Sequence, residues 1–210
     1  MTAPRARSVN LSVYDDATRA LVRLSAVITV GGEREIREAL ADAVTTLPPV
    51  WVEELLLQTY LFAGFPRALN AMREWRRVHP EIAATDPSPD ERAARAVGEA
   101  TCAVVYGDMY DRLRDNVRAL HPLLDDRMIV SGYGTMLSRP GLDLARRELC
   151  IVAACAAAAQ DRQLHSHLHG ALNAGAASSV IDETIETVTA DLPAHRAASV
   201  RMLWARVRGK

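Results

Sequence analysis

The stretch that decides the fold is ARRELCIVAACAAAA (145–159) followed by QDRQLHSHLHGALNAG (160–175). The first part is a nearly unbroken apolar, alanine-rich run. Alanine is the strongest helix former and the run lacks the β-branched and aromatic density of a strand, so it reads as a buried helix. It is far too short to span a bilayer. The second part ends in Gly175, the residue expected to close a helix at its C-terminal cap. Three of the chain's six histidines alternate along it, at 165, 167 and 169. Positions 160, 163 and 167 share one face of such a helix, which groups Gln160 and Gln163 with His167.

Helical periodicity also dominates outside this pair. ATRALVRLSAVITV (17–30) repeats apolar residues at three- and four-residue steps until Gly31-Gly32 breaks it. REIREALADAV (34–44) reads as a short helix, and WVEELLLQTYLFAG (51–64) as one buried on most sides. A bend at Phe65-Pro66 precedes an amphipathic helix to about residue 78. HPEIAATDPSPDERA (79–93), with three of the ten prolines, reads as a linker. AVGEATCAVVYGDMYDRLRDNVRAL is again helical in period up to Leu-His-Pro (120–122), and DDRMIVSGYGTMLSRPGLD leads into the central pair. The tail repeats a helix, proline bend, helix pattern.

That recurrence indicates a tandem repeat. TRALVRLSAVIT aligns with RRELCIVAACAA, IREALADAV with LHGALNAGA, and the segment from Val52 loosely with the segment from Ile181. The expected organisation is an N-terminal extension (1–12), a first helical repeat (13–78), a linker (79–96) and a second repeat with its preceding helical segment (97–210). The expected fold class is all-α.

The 210 residues suffice for a substantial core. A net charge of -1 supplies no global attraction for nucleic acid. Arg73, Arg76 and Arg77, around Trp75, read as a solvated helix flank. No apolar leader is seen at the N-terminus. The three cysteines, Cys102, Cys150 and Cys155, lack C-x-x-C spacing and point to a reducing, cytoplasmic setting. His165 and His169 have the i, i+4 spacing of a zinc pair, but no H-E-x-x-H pattern or obvious third ligand accompanies them. They read as exposed helix residues, and no metal is expected.

The residues R-E-L at 147–149, H-x-x-x-A-L-x-A-G at 167–175 and E-x-L-L-x-x-x-x-x-A-G-F-P-x-A-L-N-A at 54–71 resemble the carboxymuconolactone decarboxylase superfamily, which includes the alkylhydroperoxidase D proteins. YGDMYDRLRDN and GYGTMLSRPGLD add to the likeness, which extends over nearly the whole chain beyond the first ten residues. The resemblance implies an all-α oligomer, with a doubled chain forming a homotrimer that mimics six single units. Peroxidase-type members carry C-x-x-C-x-x-x-H. Anchoring on His167 puts Gln160 and Gln163 at the cysteine positions, and glutamine does no redox chemistry.

The decarboxylase branch needs neither thiols, metal nor organic cofactor, so none is expected. The resemblance then implies a lyase acting on a small carboxylated or lactone substrate by proton transfer. His167 is the candidate acid/base and Glu148 its orienting partner. Gln160 and Gln163 would supply hydrogen bonds in the pocket, and Tyr133 would line it. The first repeat has Ala20 in place of Glu148 and Glu35 or a neighbour in place of His167, so one site per chain is expected. Its wall would come from Tyr60, Phe62 and Phe65. Other readings are an oxidoreductase using Cys150 or Cys155 as a peroxidatic thiol, and a non-catalytic ligand-binding scaffold.

Overall fold

The computed structural model describes residues 10–81 and 90–209. Most of the expected N-terminal extension, residues 82–89 of the linker, and Lys210 therefore lie outside the described residues. The fold is all-α: α1 (Asp16–Val30), α2 (Glu33–Thr46), α3 (Pro49–Gln58), α4 (Tyr60–Ala63), α5 (Phe65–Val78), α6 (Glu91–Tyr106), α7 (Tyr110–Leu120), α8 (Pro122–Arg127), α9 (Leu144–Ala157), α10 (Asp161–Asn173), α11 (Ser178–Thr189) and α12 (Ala194–Arg208). A π-helix, Met128–Leu137, joins α8 to the turn before α9. Among the described residues the only strand-like pairing is one parallel bridge, Leu11 with Ala176, which ties the start of the described chain to the turn after α10.

Helix starts follow local chemistry. Asp15, Asp90 and Asp143 each accept a hydrogen bond from a backbone N–H in the first turn of α1, α6 and α9. That satisfies one of the donors a helix start leaves open. Helices α1 and α9 cross at the centre. Ser25 Oγ donates to the Cys150 carbonyl at 2.7 Å across that crossing. One apolar core, with Leu21, Leu24, Ile28, Leu40, Leu55 and Trp75, gathers α1, α2, α3 and α5. The other, with Leu149, Ile151, Leu164, Leu168, Ile181 and Trp204, gathers α9 to α12 with α6 and the π-helix.

Three features differ from the sequence reading. The helical period from residue 96 to 120 is not one helix: Gly107, at φ 51°, turns the chain between α6 and α7. MIVSGYGTML, read as a connection, is the π-helix. Its Gly134 crosses α6 so closely that a Cβ would lie 2.0 Å from the Ala94 carbonyl oxygen. Gly98 is in the same position, 2.1 Å from the Ile129 carbonyl oxygen. Only a hydrogen fits at either place, so the two backbones meet directly. The third difference lies on α5. Arg76 pairs with buried Glu53 at 2.6 Å, Arg77 pairs with buried Glu74 at 2.8 Å, and Trp75 is fully buried. Arg73 and Arg77 stay exposed as a solvated flank should, while Trp75 and the half-buried Arg76 turn inward.

Helices α7 and α8 are held together by Asp125, 5% exposed, which accepts from Arg114 and Arg118. The Arg114 hydrogen bonds, with Arg118 adding its charge, hold the Asp125 carboxyl below the usual aspartate range despite burial. A carboxyl depressed in the folded state stabilises it above the unfolded pKa of about 3.9. That contribution disappears as pH falls through the lower folded value. In chemical denaturation between pH 6 and 2, Asp125→Asn is therefore expected to flatten the acid limb of the stability profile. An unchanged acid limb would show that the pair contributes nothing.

Candidate functional site

The site is built where α9 meets α10. Ala159 joins the helices at φ 56°, a left-handed conformation that costs a non-glycine residue about 1–2 kcal/mol. This tight turn lets the Gln160 N–H reach back to the Cys155 carbonyl at 2.9 Å and starts α10 at Asp161. Helix α10 then lies against α9 along its length.

Nineteen residues apart in sequence, Glu148 Oε2 and His167 Nδ1 lie 2.8 Å apart. Glu148 is fully buried and His167 is 5% exposed. Glu148 pairs with neither neighbouring arginine. Arg146 instead binds Asp143 and Thr18. Arg147 turns the other way, toward α3. The second Glu148 oxygen, Oε1, is buried without a hydrogen-bond partner. Room for the carboxylate comes from Gly170, where a Cβ would lie 2.5 Å from Oε2. A glycine inside a helix costs about 1 kcal/mol relative to alanine. In H-x-x-G that cost was the available signal that something must approach closely there.

Arg147 is completely buried yet fully engaged. Its guanidinium donates to Glu54 at 2.7 Å, to Gln58 at 3.1 Å and to the carbonyls of Leu142 and Arg139 at 3.1 Å. Glu54 also accepts from Arg139 at 3.0–3.1 Å. Burial pulls the Arg147 pKa below its ordinary value, and the Glu54 hydrogen bond opposes the shift. The network fixes α3 to the start of α9, one residue from Glu148. The sequence does not show it: there Arg147 stands only as part of R-E-L.

The residues expected to wall the site separate. Phe62 presents its ring edge-on to His167, with centroids 5.5 Å apart, and its carbonyl accepts from Gln160 Nε2 at 3.4 Å. It comes from the same chain, at the end of α4. Gly64, at φ 83°, then reverses the path. Phe65 consequently stacks on Tyr60, with centroids 4.6 Å apart, and is 62% exposed. Gln160 Oε1 lies 3.6 Å from Cys155 Sγ, whereas Gln163 is exposed on the first turn of α10. Tyr133 is buried, with Glu148 among the charges acting on its hydroxyl. It packs edge-on against Tyr106, which the sequence reading did not single out, at 6.3 Å. Burial raises both phenols, that of Tyr106 to about 12.

All three cysteines are free and buried. Burial pushes the thiols of Cys102 and Cys155 up to about 12, and that of Cys150 upward as well. His165 and His169, expected as exposed residues, are half-buried and meet edge-on at 5.0 Å. Among the described residues no group of three His, Cys, Asp or Glu is placed to hold a metal ion. No described helix is long and apolar enough to cross a membrane.

No curated protein matches the chain. Glu148, Gln160, Gln163, His167 and Tyr133 all lie in one matched stretch, while Phe62 and the Glu54 end of the arginine network lie before it. That stretch, residues 122–203, matches the carboxymuconolactone decarboxylase family.

Proposed function

We propose that the protein is a cofactor-independent lyase that decarboxylates a small carboxylated lactone by acid/base proton transfer, with His167 as the proton carrier. The observation that carries the reading is the buried Glu148–His167 hydrogen bond at 2.8 Å. A carboxylate accepting from Nδ1–H holds the imidazole in one tautomer and one orientation, which leaves Nε2 to exchange protons. In the proposed reaction the carbon–carbon bond to the substrate carboxylate breaks and carbon dioxide leaves. The electron pair remains as an enolate-like charge, and His167, which first takes a proton from solvent at Nε2, returns that proton to the carbon. Gln160 is placed beside Phe62 at the start of α10, where an amide can bind the substrate's oxygens. Phe62 screens the imidazole from water on one side.

The two-repeat reading, 13–78 and 97–210, belongs to the same proposal. It is supported by the shared helix order and by the two cores on either side of the α1–α9 crossing. A homotrimer of such chains in the cytoplasm would follow.

The thiols favour this reading over a peroxidase. Burial that pushes a thiol up to about 12 keeps it protonated near neutral pH, and the thiolate is the form that attacks peroxide. Maleimide labelling of the native protein is expected to modify none of the three cysteines until denaturant is added. Rapid native labelling of Cys155 would restore the thiol reading. The direct test is incubation with a panel of γ-carboxylactones in deuterium oxide, scoring carbon dioxide release and deuterium in the product. Release that depends on His167 supports the proposal, and no release from any member of the panel sinks it.

A further inference from the structure

The face of α10 turned away from His167 borders a cleft of about 520 Å³, closed by the end of α6, the Gly107–Met109 turn and α7. We propose that this cleft is a second small-molecule site, taking a carboxylate with a compact apolar body.

The volume is that of an ordinary small-ligand pocket. Its floor is apolar, formed by Val105, Leu113 and the ring of Tyr106. Its polar groups are mostly donors or amides. Arg112 and Asn116 stand on the α7 side, His165, His169 and Asn173 on the α10 side. Asn173 Nδ2 gives one of its two N–H groups to the Val105 carbonyl at 2.9 Å, which leaves a second donor and the Oδ1 acceptor. Asp108 is the one carboxylate in the lining. Among the described residues Arg112 enters no ion pair, although Arg114 and Arg118 on the same helix both bind Asp125. A guanidinium at the rim, imidazole N–H groups opposite and an apolar floor match a ligand charged at one end and apolar at the other.

The cleft is shaped by the backbone. Gly107, at φ 51°, lets the turn close over Asn173, and a side chain there would be strained whatever the space. Nothing in this arrangement involves the imidazole of His167, so the site stands independently of the lyase reading. Tyr106 nevertheless forms part of its wall and packs on Tyr133.

The test uses the full chain with ¹⁵N-labelled histidine, titrated with benzoate and, in parallel, with benzyl alcohol as the uncharged analogue. Benzoate is expected to shift the His165 and His169 ring resonances together and saturably, leaving His167 unmoved. Arg112→Gln, a change at an exposed residue, should weaken that binding at least tenfold, while His167→Asn should leave it intact. Shifts confined to His167, equal response to benzyl alcohol, or no saturable shift of His165 and His169 would each overturn the proposal.

Discussion

His167→Asn is expected to lower decarboxylation by about 10²–10⁴-fold, the usual contribution of a positioned general acid or base. Asparagine has a polar group of similar reach but no proton to exchange near neutral pH. Glu148→Gln tests the same dyad differently. If the new amide donates to Nδ1, the ring must carry its proton on Nε2, the wrong tautomer for a ring that begins the cycle as a base at that atom. Turnover should then fall by a comparable factor with the fold intact. The ¹⁵N signature of His167 should change from the Nδ1–H to the Nε2–H form. An unchanged tautomer together with undiminished turnover would show that Glu148 does not position the imidazole. An unchanged rate in His167→Asn would remove the acid/base reading altogether.

The second large effect concerns Glu54. Removing one partner of a buried ion pair leaves an uncompensated charge, at a cost of about 3–5 kcal/mol. Glu54→Ala would strand Arg147, which has no exposed surface. A loss of this size in urea denaturation is expected, and the marginal stability of an average domain means that the variant could fall close to unfolding at room temperature. The double variant Glu54→Leu with Arg147→Met keeps the volume and removes the two most buried charges; Arg139 loses its Glu54 hydrogen bonds but is 23% exposed, so most of the loss should be recovered. A cost of 1 kcal/mol or less in Glu54→Ala would place the pair with solvated surface bridges instead. The network also joins α3, which leads into Phe62, to α9, which carries Glu148. The double variant should therefore regain stability before it regains turnover.

Much of the helical framework was legible because apolar spacing, Asp caps and glycine stops all act locally. Helix α1 was read as 17–30 and is Asp16–Val30, and Gly175 closes the α10 segment with φ 102° as a C-cap glycine should. The π-helix was not legible. Its Gly134 matters through contact with α6, about forty residues earlier in the chain, and sequence spacing cannot show that distant close approach. Gly107 was passed over for a related reason: the apolar period continues on both sides of it while the backbone turns.

The site divides in the same way. Glu148 and His167 were found by resemblance and are close in space, since α9 and α10 are consecutive and antiparallel. Phe62 and Phe65, treated alike in the sequence, have opposite fates because a single left-handed glycine lies between them.

By itself the sequence determined an all-α chain, the helix pair that carries Glu148 and His167, and the absence of paired thiols at Gln160 and Gln163. Those properties follow from residue identity and short-range geometry. Only the tertiary structure decided which charges are buried and with what partner. Glu53, Glu54, Glu74, Asp125 and Arg147 all lie inside because each meets an opposite charge on another helix or an adjacent turn. A buried charge is tolerable only when so paired, and the pairing partners are set by packing across distances in sequence that no local pattern encodes.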